Sequence, residues 1–124
     1  MIHKLWIAAT CALLVSCGTG RSYEGPKRPA GEVARITGDF RVTAGSPVTV
    51  ILLKVDDYEV SLSENSVEVL PGMHKLLVEC RVAETKSVSR FTIEAELYEG
   101  VRYRLVPEIE PGMRGCSAVE LESD

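Results

Sequence analysis

The chain has 124 residues, with 14 lysines and arginines against 18 acids, four cysteines and two histidines. At about 100–200 residues per domain it holds one domain at most, which excludes a two-domain cofactor enzyme. Few aromatics and a net negative charge argue against nucleic acid as a partner, because phosphate backbones are met by a basic face.

Met1–Lys4 is a short basic lead, and Leu5–Val15 (LWIAATCALLV) is an apolar run broken only by Thr10 and Cys11. A run of this length suits the hydrophobic part of a secretion signal and falls short of the roughly 20 residues that span a bilayer as a helix. It ends in Leu14-Val15-Ser16-Cys17, which resembles the bacterial lipobox. The resemblance implies a signal peptide of residues 1–16, cleavage after the small Ser16, and acylation of the Cys17 thiol. Gly18 follows where aspartate would favour retention in the inner membrane. In a Gram-negative cell the implied location is therefore the outer membrane, facing the periplasm. Several acyl chains at about 0.8 kcal/mol per buried CH₂ anchor a protein stably without a transmembrane helix.

Residues 17–124 retain 13 bases and all 18 acids, a formal charge of −5. Gly18–Gly31 (GTGRSYEGPKRPAG) is rich in glycine and proline, so residues 17–31 read as a flexible tether and residues 32–124 as the folded domain. Tyr23 is its one bulky residue, and packing on the domain edge or exposure are both open to it. So small a domain buries only about 60–68% of its unfolded surface and gains from a cross-link. With Cys11 removed and Cys17 acylated, Cys80 and Cys116 are the two thiols left, and in an oxidising compartment they are expected to pair. Closing that loop is worth about 4 kcal/mol on the chain-entropy model. A cysteine-based site lacks a CxxC spacing, and a zinc site has only His74 as imidazole, so neither a metal nor a cofactor is expected.

From residue 32 onward the apolar period is two. Glu32–Thr37 reads as a first strand closed by Gly38-Asp39. Thr49–Val55 (TVILLKV) is apolar on both parities, as a central strand covered on both faces would be. Asp56-Asp57 turns the chain into a short strand, Tyr58–Leu62, and Ser63–Ser66 turns it again. Val67–Leu70 leads through Pro71-Gly72 into Leu76, Val78, Cys80 and Val82, whose shared parity points Cys80 inward; residues 67–80 read as a hairpin. Phe91, Ile93, Ala95 and Leu97 alternate with Thr92, Glu94 and Glu96. Gly100 then supplies the positive φ of a turn into Val101, Tyr103 and Leu105, a second hairpin in which Glu94 and Glu96 would oppose Arg102 and Arg104. Ser117–Leu121 closes the series. Seven or eight short strands without an amphipathic helix predict an all-β fold: a small antiparallel β-sandwich, or alternatively a small barrel.

Val67–Val78 (VEVLPGMHKLLV), with its Pro-Gly turn, trailing His74 and flanking apolar strands, resembles the PEGA-type β-sandwich modules of bacterial envelope proteins. Gly100, Tyr103 and Leu105 resemble the Gly-x-x-Tyr-x-Leu element of their closing strands. The likeness covers about half of the mature chain and departs at Asp56-Asp57, where a Val-Asp-Gly turn would stand. It implies a sandwich in the envelope and brings no catalytic residues.

Pro71, Gly72, His74 and Gly100 are thus structural turn residues, with His74 a partly buried, hydrogen-bonded ring. The expected function is that of a non-catalytic, membrane-anchored module that binds an envelope protein or a cell-wall component, sheet edges being natural docking sites. A small periplasmic ligand carrier would instead need an enclosed interior of several hundred Å³. A hydrolase using His74 would need a serine or carboxylate within about 3 Å of it in a cleft.

Overall fold

A computed structural model describes residues 18–41, 45–112 and 114–124; Cys17 and the signal segment lie outside the described residues. Among these residues nine strands form two sheets facing each other. They are β1 (Thr19–Arg21), β2 (Ala34–Thr37), β3 (Val48–Val55), β4 (Tyr58–Glu59), β5 (Ser66–Val69), β6 (Gly72–Val82), β7 (Ser87–Leu97), β8 (Arg102–Ile109) and β9 (Cys116–Ser123). The first sheet runs β1-β5-β2-β8-β9 and the second β4-β3-β6-β7, an open sandwich rather than a closed barrel. The antiparallel expectation holds for the second sheet, whereas in the first β1 runs parallel to β5 and β2 parallel to β8.

The core follows the predicted alternation. Leu76, Val78, Cys80 and Val82 on β6 are at most 1% exposed, and Ile36, Val67, Val69, Leu97 and Leu105 meet them from the other layer or the flanking strands. Phe91, Ile93 and Ala95 of β7 pack half-buried on the same core. A bulge between Leu52 and Lys54 explains why β3 is apolar on both parities. Val50 and Leu52 face inward; Leu53 is the extra residue, and the parity resets so that Val55 is again fully buried. Ile51, on the opposite face, is 1% exposed and lies outside the main core cluster.

Both predicted hairpins are corrected. β5 and β6 belong to different sheets, as do β7 and β8, so Pro71-Gly72 and Tyr98–Gly100 carry the chain between layers. Glu94 and Glu96 consequently oppose Lys75 and Met73 of β6, while Arg102 and Arg104 oppose Arg35 and Thr37 of β2. Alternation reports which face of a strand meets the core, and a strand on either side of that core satisfies it equally. Gly72 (φ 131°) and Gly100 (φ 74°) both occupy backbone conformations that favour glycine. The regular hairpin is instead β6–β7, paired without a break from Gly72↔Leu97 to Val82↔Ser87.

The stretch read as a tether is also corrected. Thr19–Arg21 forms β1 on β5, and Ser22 N–H extends the pairing to Glu68 O at 3.1 Å. A short 3₁₀ turn at Ala30–Glu32 precedes β2. Tyr23 is half-buried; its hydroxyl accepts Arg28 N–H at 3.0 Å, and the Arg21 guanidinium lies 5.9 Å from its ring centre. Gly-rich composition was mistaken for slack: a Cβ on Gly20 would run into the Tyr58 hydroxyl and the Glu64 carboxylate, so this strand is Gly because it passes so close. The expected Tyr58–Leu62 strand shortens to Tyr58–Glu59, because Glu64 N–H bonds back to Ser61 O at 3.1 Å and turns the chain away.

Cys80 of β6 and Cys116 of β9 form a disulfide between the layers, with Cα atoms 6.3 Å apart. It closes a loop of sequence separation 36. Cys116→Ser is expected to lower unfolding stability by about 2–4 kcal/mol, read from denaturant titration under non-reducing conditions, with no loss of strand content in circular dichroism.

Candidate functional site

The turn residues come first. His74 stands at the start of β6, its side chain 13% exposed, with Nδ1 2.5 Å from Asp56 Oδ2 and Nε2 2.6 Å from Leu70 O. Leu70 O can only accept, so Nε2 carries a proton and donates to it. Asp56, in the left-handed region at φ 52°, also accepts Lys75 N–H through Oδ1 at 2.9 Å and gives its own N–H to Lys75 O at 2.8 Å. Burial by itself would raise the Asp56 carboxyl, but the Lys75 N–H and His74 bonds and the nearby positive charge hold it below its ordinary value. The carboxylate that a hydrolase using His74 would need is therefore in reach, in an open surface pocket lined by Asp56, Met73, His74, Lys75 and Glu94, but both ring nitrogens are already engaged, by Asp56 and by a backbone carbonyl. The cluster ties the β3–β4 turn to the crossover at Pro71-Gly72. Gly100 does the same at the other crossover, where its N–H donates to Val33 O at 2.9 Å.

The second group was not legible from the sequence. Glu79 has outward parity on β6, which suggested solvent, yet it is 2% exposed. Arg81 lies 2.6 Å from its Oε2 and Arg90 of β7 3.0 Å from its Oε1, so one carboxylate takes two guanidiniums on the outer face of the second sheet. Burial would raise the Glu79 carboxyl; the bonds from Arg90 and Arg81 outweigh it and hold the group below 4.5. Arg81 at i+2 on the same face was the available hint, and Arg90 becomes a partner only through the β6–β7 register. Beside it a groove of about 520 Å³ runs over Leu53, Leu62 and Leu77 between Arg41, Lys54 and Arg90. Arg41 donates from Nη2 to Val60 O at 2.7 Å, and its buried Nε has no partner among the described residues.

The third feature is the rim of β7. It is an 11-residue strand without proline, glycine or a register break, and β6 is its sole neighbour in the sheet. Among the described residues its outer rim makes no backbone hydrogen bond to another segment. Its outward side chains include Val88 at 60% exposure, Arg90, Thr92, Glu94 and Glu96. The opposite edge of the same sheet is closed differently. β4 covers only the end of β3, and Asp39 seals more of it by giving its N–H to Val50 O at 2.7 Å and accepting Val50 N–H at 2.8 Å. β9, the other long edge, carries Glu120 and Glu122 with Asp124 just beyond its end, and the Glu120 carboxyl is raised by a hydrogen bond to Glu108. A long regular edge strand is a template for another strand unless charge, a bulge or cover blunts it. β7 keeps that template and mixes both signs of charge on it.

Between the sheets Leu52, Leu76 and Leu97 are at most 1% exposed, and a half-open cleft of about 290 Å³ enters between Val48 and Val50 of β3 and Leu105–Pro107 of β8 rather than forming an enclosed interior. Among the described residues no three His, Cys, Asp or Glu side chains gather as a metal ion would require. No helix among them is long and apolar enough to cross a membrane. No protein-family model, curated protein or solved structure matches this chain.

Glu79 provides a test of the electrostatics. Its folded value lies below 4.5, so its contribution is complete above that pH and disappears as pH falls through the folded value. Glu79→Gln is expected to cost about 1–2 kcal/mol at pH 7 and progressively less below pH 4.5, a convergence of the two melting curves that calorimetry at several pH values would record.

Proposed function

We propose that the protein is a non-catalytic, lipid-anchored module of the bacterial envelope that receives an extended segment of another envelope protein along the rim of β7. The observation that carries the reading is the β7 edge itself: 11 residues in unbroken register on one side, and free backbone groups on the other. An added strand would satisfy those N–H and C=O groups, while the outward side chains select its sequence. Glu94 and Glu96 call for basic residues opposite them. Anchoring rests on the lipobox-like Leu14-Val15-Ser16-Cys17, and the PEGA-like turn sequence agrees with an envelope location.

Two outcomes test the proposal. Cys17→Ala is expected to move the protein from the membrane to the soluble fraction on ultracentrifugation of lysed cells; retention on the membrane would remove acylation as the anchor. A photo-crosslinking residue at Thr92 is expected to join the protein to a discrete envelope partner in intact cells. The same group at Arg21, on β1 at the opposite edge of the other sheet, should give no such adduct. Equal adducts at both positions would take the β7 rim out of the interface.

A further inference from the structure

The lipid anchor and the folded body are separated by almost nothing. Gly18 O accepts Asn65 N–H at 3.1 Å and Ser66 N–H at 3.4 Å, and Thr19 begins the pairing of β1 with Ser66. One extended residue spans roughly 3.5 Å, so an acyl group on Cys17 starts about that far from the sheet edge. A bilayer's headgroup zones are only some 5–8 Å deep on each side of a 30 Å hydrocarbon core. A residue acylated at that depth draws the side of the sandwich that clamps Gly18 down with it.

That side has a matching surface. The Ser61–Glu64 turn precedes the Asn65 that holds Gly18, and at its tip Leu62 is 66% exposed. The groove opens beside Leu62, where Arg41 and Lys54 stand next to Leu53 and Leu77, while Arg90 at its far wall is held by Glu79. Arg21, Lys27 and Arg28 add exposed positive charge along the first segment. The acids there are Glu59 and the buried Glu79 at the groove, Glu24 in the first segment, Asp57 in the β3–β4 turn and Glu64. The last is tied to the Tyr58 hydroxyl at 2.7 and 2.9 Å and to Ser61 N–H at 3.1 Å.

We infer that the protein lies on the phospholipid surface by its β1–β4 side, with Leu62 in the interface beside the Cys17 anchor and Arg41 and Lys54, at the β4 end of the groove, toward lipid phosphates. This rests on the anchoring reading above and goes further, because it orients the body: the β7–β9 side faces away from the bilayer. Basic side chains around an inserted apolar residue are how interfacial proteins grip anionic headgroups.

The chain's one tryptophan is Trp6, in the segment removed with the signal, so a single introduced tryptophan reports alone. Acylated Leu62→Trp and Val88→Trp proteins would be reconstituted in phosphatidylethanolamine–phosphatidylglycerol vesicles carrying brominated acyl chains, with acylation of Cys17 verified by mass spectrometry. Trp at 62 is expected to be quenched at least about twofold more than Trp at 88 and to emit to the blue of it, as interfacial insertion requires. Equal, water-like emission from both in acylated protein overturns the orientation and leaves the anchor standing. A mature chain without acyl groups on Cys17 overturns the anchor and the orientation with it. A circular dichroism spectrum matching the parent shows that each variant is folded.

Discussion

The stripe of Leu76, Val78, Cys80 and Val82 along β6 is the constraint from which the rest of the molecule follows. Each of the four is at most 1% exposed, so β6 cannot slip by one residue without turning its core face to solvent. With β6 fixed, β3 and β7 are fixed on either side of it, and Cys80 is held where Cys116 of the opposite sheet can reach it. The same register brings Arg90 onto Glu79 and Lys75 to within 3.8 Å of Glu94. The exposed Lys75–Glu94 pair contributes little to stability, whereas the buried Glu79 depends on both of its arginines.

What could be read from the residues divides along a physical line. Strand faces were legible because side-chain alternation is a local property, which is why β6, the second half of β7 and the inward Cys80 were assigned from sequence. The disulfide was legible because parity and the supply of thiols both pointed to Cys80 and Cys116. Sheet membership was not, because Val67–Val69 and Leu76–Val82 bury the same kind of face whether they pair with one another or confront one another across the core. Pro71-Gly72 is compatible with a hairpin turn and with a crossover alike. The bulge at Leu53 hid in plain view: an apolar run on both parities suggested two covered faces, and a parity reset within the strand accounts for much of it.

The site residues divide in the same way. His74 follows the Pro71-Gly72 turn directly and shares the parity of Leu76, and both of its ring nitrogens are hydrogen-bonded. Its Asp56 partner lies 18 positions away and is brought to it by the β3–β6 pairing. Glu79, Asp39 and the rim of β7 are consequences of the register, and no local pattern announces them. Glycine-rich composition misled outright at Thr19–Arg21, where an absent side chain permits close packing beside Tyr58 and Glu64.

That close-packed first strand has a mechanical consequence. Tension applied at the amino terminus reaches β1 before anything else, and β1 is held by three residue pairs on a single neighbour. The disulfide lies on the far side of the sandwich and shares none of that load until β1 has peeled away. A tug on that end therefore pays out residues 18–31 while the cross-linked body stays closed, so β1 acts as a fuse.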